Sequence, residues 1–430
     1  MVIHGAMAKG ILYFRESMTN ENKRKVGSGN LIKFSDKELS FKVFTSIDDC
    51  TQYWPSISCE DPFFSPQYFR ILERKKLEGA IPLYAFVFFS GQNMPIASYY
   101  LQKKKLRLSD SIDTHKFVEG SGFAAKFKYW MQRIFFPMVY FNMMVVGNLL
   151  LTGNYGFRGI GGSVSLNDFK ILKRLLKGLK SKLARTEYKF KGALIKDFFE
   201  KERCSDTALI GIGEFKVDPS MIVHIRSNWK NMDDYLLDMK SKHRVRIKKH
   251  LKRAADLEVR PLSVEEVVAR DAEIFNLYRS VVNASGFNMV SVSQGYFADM
   301  VNAFPEQFIV KGMFVKNELV GFYTYMLKEG AVMSHFIGYS EKENRDHSIY
   351  FNILLGLIKD AIEHKTNKLY YYRTALEIKS SVGAEPYGMS LYLMHHNSLF
   401  NNLINIIIKT FFPNPVWTQR RPFKVYPESA

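Results

Sequence analysis

Four residues in the second half of the chain have side chains suited to moving a proton or polarising an oxygen. They are His335 and Tyr339 in AVMSHFIGY, and Glu377 and Lys379 in LYYYRTALEIKSSVGAEPYG. A carboxylate or a neutral imidazole accepts a proton, while a phenol or an ammonium donates to a developing oxyanion. In a strand, His335, Ile337 and Tyr339 alternate onto one face. The stretch 369–388 opens as a buried strand, Leu369 to Tyr372, and then turns polar with Arg373, Glu377 and Lys379 ahead of Ser380, Ser381 and Gly383. Charge followed by small residues off the end of a buried strand builds either a site or a solvated turn.

The elements that must position these residues recur. PLYAFVFF, the turn SGQN and MPIASYYLQ form a hairpin pattern, followed by the strand MMVVGNLLL, a helix over 166–183 and the strand GALIKDF. Later, two apolar runs flank the turn KNE, followed by AVMSHFIGY, the helix SIYFNILLGLIKDAIEH and the strand KLYYYRT. Hairpin, strand, helix and strand appear twice, which reads as a structural duplication. Ser65-Pro66 caps and opens a helix ahead of the first hairpin. The first copy carries an insert, 103–142, with Lys103, Lys104, Lys105 and Arg107 and then AAKFKYWMQRIFFPMVYF. Aromatic and basic residues together suit a membrane interface, or a core helix whose lysines snorkel. Near the C-terminus Leu399, Phe400, Leu403, Ile404, Ile407, Ile408, Phe411 and Phe412 form one wide helical stripe, for which core packing is the default.

At 430 residues the chain is too long for one ordinary core. Its 47% hydrophobic content excludes a disordered scaffold. The expected division is a flexible extension over 1–35, a first domain over 36–222 and a second over 223–430 that begins with a basic helix, 231–255. Cys50, Cys59 and Cys204 are odd in number and have no metal-ligand spacing, which points to a reducing compartment and no metal. His395-His396 marks a strand end. A net charge of +19 implies an anionic partner: nucleic acid, a membrane surface or a phosphate-bearing cosubstrate. The N-terminus lacks the pattern of a signal peptide. The uncharged stretch 134–157 is long enough for a span, but its asparagines, Pro137, Gly147 and Gly153 favour a helix followed by a strand over 143–151.

Between the copies lies NWKNMDDYLLDMKSKHRVRIKKHLKRAADL, with Asn231 as N-cap. From 240 to 253 it carries Lys240, Lys242, Arg244, Arg246, Lys248, Lys249, Lys252 and Arg253 and no acid. Unbalanced charge disfavours its own helix, so a phosphate partner is inferred. The Tyr-Leu start followed by Ser241-Lys242-x-Arg244 resembles the signature of FemABX-like proteins of the acyl-CoA N-acyltransferase (GNAT) superfamily. Glu377-x-Lys379 with Gly383 resembles the family's Glu-x-x-Lys-x-x-Gly element, with a shorter spacing. The duplicated order resembles the family's tandem domains.

The resemblance implies an α/β (α+β) fold of two tandem GNAT-like domains, each a mixed, mostly antiparallel sheet flanked by helices. It also implies N-acyl transfer from an acyl-CoA or acyl carrier protein thioester, a cosubstrate and not a permanently bound cofactor. The loop Arg158, Gly159, Gly161, Gly162 and Ser163 resembles the family's phosphate-binding loop, with Lys242, Arg244 and Arg246 as further contacts to the donor. His335 or Glu377 would serve as base, and Tyr339 or Lys379 as polarising donor. The loop over 340–348 in the second copy has no glycine, so that copy would hold the acceptor.

Three readings follow. The first is transfer to the amine of a membrane lipid precursor such as a sphingoid base, as in ceramide-forming bacterial enzymes, by a cytoplasmic protein peripheral on the inner face of the membrane. The second is aminoacyl transfer from tRNA to a peptidoglycan precursor. The third is a non-catalytic protein that binds anionic surfaces.

Overall fold

Each hairpin of the repeated order is closed by turn chemistry. Lys316 and Asn317, at φ +50° and +68°, turn the second one through the left-handed region that Asn tolerates. The structure, a computed structural model, describes residues 31–426 apart from 37, 55–60, 78, 108–139, 160–164, 285–289, 329 and 396–416. The first copy supplies β1 (Leu31–Asp36), β2 (Leu39–Phe44), β3 (Ala80–Phe89), β4 (Ala97–Arg107), β5 (Tyr140–Val146), β6 (Phe157–Gly159), β7 (Gly192–Phe199) and β8 (Gly213–His224). The second supplies β9 (Glu258–Pro261), β10 (Phe308–Val315), β11 (Glu318–Lys328), β12 (Ala331–Tyr339), β13 (Lys368–Tyr372) and β14 (Glu385–His395). The helices used below are α1 (Pro66–Lys75), α2 (Leu166–Leu183), α3 (Met232–Leu237), α4 (Ser241–Arg253), α5 (Asp271–Ala284), α6 (Tyr296–Ala303), α7 (Ile349–Glu363) and α8 (Leu376–Ser381).

The fold is mixed α/β: one large mixed sheet flanked by helices, in the order β1-β2-β3-β4-β5-β7-β14-β8-β13-β12-β11-β10-β9, with β6 beside β4. Apart from β1, which has no counterpart at the other edge, the order reads the same from both ends. β5 runs parallel to β7 with α2 as the crossover, and β12 runs parallel to β13 with α7 as the crossover. After that each copy sends its last strand into the other. β8 follows β7 in sequence yet pairs with β13, and β14 follows β13 yet pairs with β7. β8 and β14 then pair antiparallel at the centre, Glu385 opposite Ile222 and Leu393 opposite Gly213.

Periodicity decides which face each element covers. On α2, Phe169, Leu172, Leu175, Leu176, Leu179 and Leu183 recur at steps of three and four and are all buried. Burying each such side chain stabilises the fold by roughly 1.5–3 kcal/mol. Together with Met144, Val146, Ala193 and Ile195 they form one core. Under α7 a second core gathers Val332, Leu354, Ile358 and Leu369. The opposite face of the sheet carries a third, shared by both copies, in which Tyr68 and Phe69 of α1 meet Tyr296 and Phe297 of α6.

Several sequence expectations are corrected. β1 begins at Leu31, inside the stretch read as an extension. Lys103 and Asn142, read as the ends of the insert, lie in β4 and β5; 108–139 and the stripe 399–412 lie outside the described residues. The strand read over 143–151 stops at Val146, because Gly147 at φ +135° turns the chain out of the sheet. The basic helix 231–255 is two helices. Asn231 does cap α3, accepting from Asp233 N at 2.9 Å and Asp234 N at 3.0 Å. The chain then breaks at Met239, which bridges to Phe423, before α4 begins. Ser65 caps α1 as read, accepting from Tyr68 N at 3.2 Å. Among the described residues no helix is long and apolar enough to cross a membrane.

Candidate active site

The strand that carries His335 does not keep its alternation. The register of β12 with β11 shifts between Tyr323 and Tyr325, so His335 and Phe336 together oppose Thr324. Thr324 holds this bulge by itself: its hydroxyl donates to Phe336 O at 3.0 Å and accepts from Phe336 N at 2.9 Å. An extra residue reverses the facing of everything beyond it. His335 therefore turns toward the shared core, against Phe63, Phe308 and Phe336, while Ile337 and Tyr339 face the core under α7. The expectation that His335 and Tyr339 share a face is overturned by this bulge. Tyr339 packs its ring 6.2 Å from Tyr350, and burial raises its pKa.

Where the bulge lies, the sheet opens. β13 pairs with β12 only over Ala331–Met333 and Lys368–Tyr370, leaving the later part of β12 without a strand on that side. In the first copy β5 and β7 pair over Met143–Val146 and Gly192–Ile195, after which β5 ends. An excursion over 147–156 stands where the second copy has its bulge, and β6 resumes the pairing with β4.

His335 Nε2 lies 2.8 Å from the Tyr296 hydroxyl. The Tyr296 hydroxyl is electrostatically coupled to that of Tyr68, and the Tyr68 hydroxyl accepts from Asn148 Nδ2 at 3.2 Å. Tyr68 and Tyr296 occupy matching positions on α1 and α6, each in a Ser-x-x-Tyr-Phe sequence, Ser65 to Phe69 and Ser293 to Phe297. The chain Asn148, Tyr68, Tyr296, His335 thus crosses between the copies. Burial lowers the His335 pKa to about 3, so the imidazole is neutral. Both phenols are pushed up by burial and stay protonated.

Beside this chain lies a charged cluster built from both copies. Asp61, almost fully buried, accepts from Arg158 at 3.3 Å and from Lys328 at 2.8 Å, and its other oxygen caps Phe63 N at 3.0 Å. The Arg158 guanidinium lies over the Phe64 ring at 4.7 Å. Asp197, fully buried, pairs with Arg373 at 2.9 Å and Lys196 at 3.4 Å, and its Oδ1 has no hydrogen-bond partner among the described residues. Burial lowers the Lys196 pKa, and its ammonium donates to Asn148 O at 2.8 Å and Leu151 O at 3.0 Å. Tyr155 and Tyr372 are electrostatically coupled to each other and feel the charge of Asp61, and burial raises the pKa of both. Two carboxylates thus face four cationic side chains, an arrangement that favours negative charge on anything bound between them.

The turn after β13 is strained. Tyr372, Thr374 and Ala375 have φ of +58°, +70° and +47°, a region that costs non-glycine residues about 1–3 kcal/mol each. Lys379 holds the turn. Its ammonium is buried and donates to the carbonyls of Tyr371, Tyr372 and Arg373 at 2.8, 3.3 and 2.6 Å. Burial pushes its pKa down to about 7, whereas the three carbonyls favour the charged form. Glu377 points the other way and pairs with Arg420 at the surface. Gly383, at φ +96°, follows α8 where a Cβ would lie 2.3 Å from the Phe423 ring, so glycine is required there twice over.

Among the described interactions none joins Glu377 or Lys379 to His335 or Tyr339. Arg158 faces Asp61, and Gly159 ends β6 opposite Ala97; Gly161, Gly162 and Ser163 lie outside the described residues. α2 starts with a capping box in which Ser165 and Asp168 bond reciprocally. In the second copy 341–347 is a short helix capped by Ser340. Lys242, Arg244 and Arg246 lie on α4; Lys242 and Arg246 are exposed, Arg244 is partly buried, and none has an ion pair among the described residues.

Asp61, Lys196, Asp197 and Lys328 were not singled out by sequence reasoning. The signal was present in GALIKDFF, a run apolar on both faces that nonetheless contains a Lys-Asp pair. Among the described residues no group of three or more His, Cys, Asp or Glu side chains is placed to hold a metal.

No family model matches the chain, and no curated protein matches it. Solved structures give remote likenesses. The C-terminal domain of a putative lysylphosphatidylglycerol synthetase from Agrobacterium fabrum is 10% identical with a TM-score of 0.46, covering 85% of this chain and 98% of that one. FemX is 12% identical with a TM-score of 0.46, covering 87% and 99%. L-PGS from Bacillus licheniformis is 13% identical with a TM-score of 0.44, covering 80% and 96%. Likenesses at this level assign no substrate and no residue roles to this chain.

Proposed function

We propose that the chain is an acyltransferase that moves an acyl group from an acyl-CoA or acyl carrier protein thioester to an amine, the acceptor being a membrane lipid precursor of the long-chain-base type. The observation that carries this reading is the opening between β12 and β13 beside a charge cluster contributed by both copies. A strand edge left without a neighbour offers alternating N–H and C=O groups, which an extended amide-bearing arm of a donor can pair with as another strand would. The cationic excess around Asp61 and Asp197 suits the oxyanion formed when an amine adds to a thioester carbonyl. His335, neutral and linked through Tyr296, orients the buried hydroxyl chain beside the opening, while its pKa of about 3 leaves it weakly basic at neutral pH. The unpartnered Asp197 Oδ1 is an acceptor suited to an ammonium or amine N–H. The protein would act at the inner face of the cytoplasmic membrane, with an anionic surface as partner.

A second reading has a specific observation in its favour. α4 presents Lys248, Lys249 and Lys252 among eight cations over 240–253 that make no ion pair among the described residues, which suits the phosphates of an aminoacyl-tRNA donor. One experiment separates the readings. Purified protein is incubated with a long-chain base or a peptidoglycan precursor, each with acyl-CoA, acyl carrier protein thioester or aminoacyl-tRNA, and the products are read by mass spectrometry. Amide formed from a thioester supports the first reading, and amide formed only from aminoacyl-tRNA supports the second. No turnover with any donor overturns both and leaves a non-catalytic binding protein.

A further inference from the structure

A second basic feature lies away from the candidate active site. A groove of 980 Å³ runs between α2 and the ends of β7 and β14, lined by Lys173, Lys177, Lys180, Lys189, Lys191 and His395. Among the described residues no acidic side chain lines it. Lys173 donates to Ile210 O at 2.6 Å and so is anchored along one wall. Lys177, Lys180, Lys189 and Lys191 are exposed and form no ion pair among the described residues. The next strands extend the same charge, since Lys105 lies opposite Asn142 in β4 and β5, and Lys191 N donates to Asn142 O at 2.9 Å. Burial lowers the pKa of Lys103; Lys105 and Lys189 add to that shift, and Glu187 opposes it.

Asn142 also lines the groove, and its Oδ1 is buried with no hydrogen-bond partner among the described residues. A ligand here therefore meets several ammonium groups and one acceptor in want of a donor. The chain also leaves the described fold at this corner. β4 ends at Arg107, β5 begins at Tyr140 opposite it, and β14 ends at His395 opposite Gly192. The two sequence stretches tethered there contain Trp130, Phe135 and Phe136, and Leu403, Ile407 and Phe411. A cationic groove at strand ends that continue in sequence into apolar and aromatic stretches matches a bilayer surface better than a nucleic acid, which would want the aromatics replaced by further cations.

We propose that this groove is a docking site for an anionic phospholipid surface, taking a glycerophosphate-type headgroup with its phosphate on the lysines and a hydroxyl on Asn142. The proposal deepens the membrane-surface part of the function above, but it does not depend on which reaction occurs.

The test measures binding, not turnover. The full chain is sedimented with phosphatidylcholine vesicles with and without phosphatidylglycerol, and its RNA binding is measured alongside. Three proteins are compared: the wild type, a groove variant (Lys177→Glu, Lys180→Glu, Lys189→Glu) and a control with the same charge change on α4 (Lys248→Glu, Lys249→Glu, Lys252→Glu). Circular dichroism confirms that each is folded. The wild type is expected to bind phosphatidylglycerol vesicles, weakening with salt, and the groove variant to lose about tenfold or more while the control keeps its binding. Equal loss in both variants, or none in the groove variant, overturns the proposal. So does a groove variant that loses RNA binding only. If an active acyltransferase nevertheless shows no vesicle binding, this inference fails and the function stands; vesicle binding without turnover has the opposite meaning.

Discussion

The hydroxyls of Tyr68 and Tyr296 are electrostatically coupled at the point where the two copies meet, and each is held in its own copy, Tyr68 by Asn148 and Tyr296 by His335. Removing either hydroxyl leaves its own buried partner, Asn148 or His335, without that bond and changes the surroundings of the other phenol. Tyr68→Phe and Tyr296→Phe are each expected to cost about 1–3 kcal/mol, and the double variant less than their sum. Denaturant unfolding of the four proteins in the cycle checks this; strict additivity would mean that the two hydroxyls are not coupled.

His335 gives a pH signature. Its folded pKa of about 3 lies below the ordinary histidine value of about 6.5. Between these values the unfolded chain binds a proton that the native one does not, so stability falls as pH drops from 6.5 toward 3. His335→Asn, which installs the side chain found at Asn148, is expected to flatten that slope. Melting temperatures of the two proteins between pH 7 and about 4 measure it, and parallel curves would remove His335 from the account.

The element order was legible because local chemistry writes it: Ser65 caps a helix, Asn317 turns a hairpin, and apolar period separates α2 from its neighbouring strands. The strand exchange was not legible. Nothing within β8 or β14 says which strand it will pair with, since pairing is decided by edges far away in sequence. The bulge escaped for a similar reason, because Thr324, which holds His335 and Phe336 in place, sits on the neighbouring strand. The Ser-x-x-Tyr-Phe repeat was visible in the letters, but the copies share too little else for two matched tyrosines to stand out. Asp61 and Asp197 become a cluster only once both copies are folded.

Arg373 and Asp197 form a buried pair of which one member is fully enclosed. Arg373→Ala leaves a buried carboxylate without its main partner and is expected to destabilise the fold by about 3–5 kcal/mol. Adding Asp197→Asn should recover part of that loss, because the charge itself is then gone. Calorimetry of the single and double variants decides it, and a double variant worse than the single would show that the pair is not what holds the turn.

Lys379 and Glu377 separate a buried role from a surface one. Lys379→Met forfeits donations to three carbonyls around a strained turn and is expected to cost well over 1 kcal/mol for each bond left unmade. Glu377→Gln breaks an exposed pair with Arg420 and is expected to change stability by less than about 1 kcal/mol. Lys379 also sets a rising slope: with its folded pKa near 7 against an ordinary value near 10.4, native stability increases with pH between the two. Lys379→Met should abolish that rise. Urea titrations at pH 7 and 9 read both effects.

The exchange of β8 and β14 has a consequence for how the chain is made. When β8 has left the ribosome, neither of its partners, β13 and β14, has been translated, and the open edge of β7 awaits a strand about 190 residues further along. At the usual pace of elongation that wait is roughly ten to forty seconds, far longer than a hairpin needs to close. The nascent first copy therefore spends that interval with the edge of β7 unpaired, the condition in which a sheet is most open to pairing with a neighbouring chain.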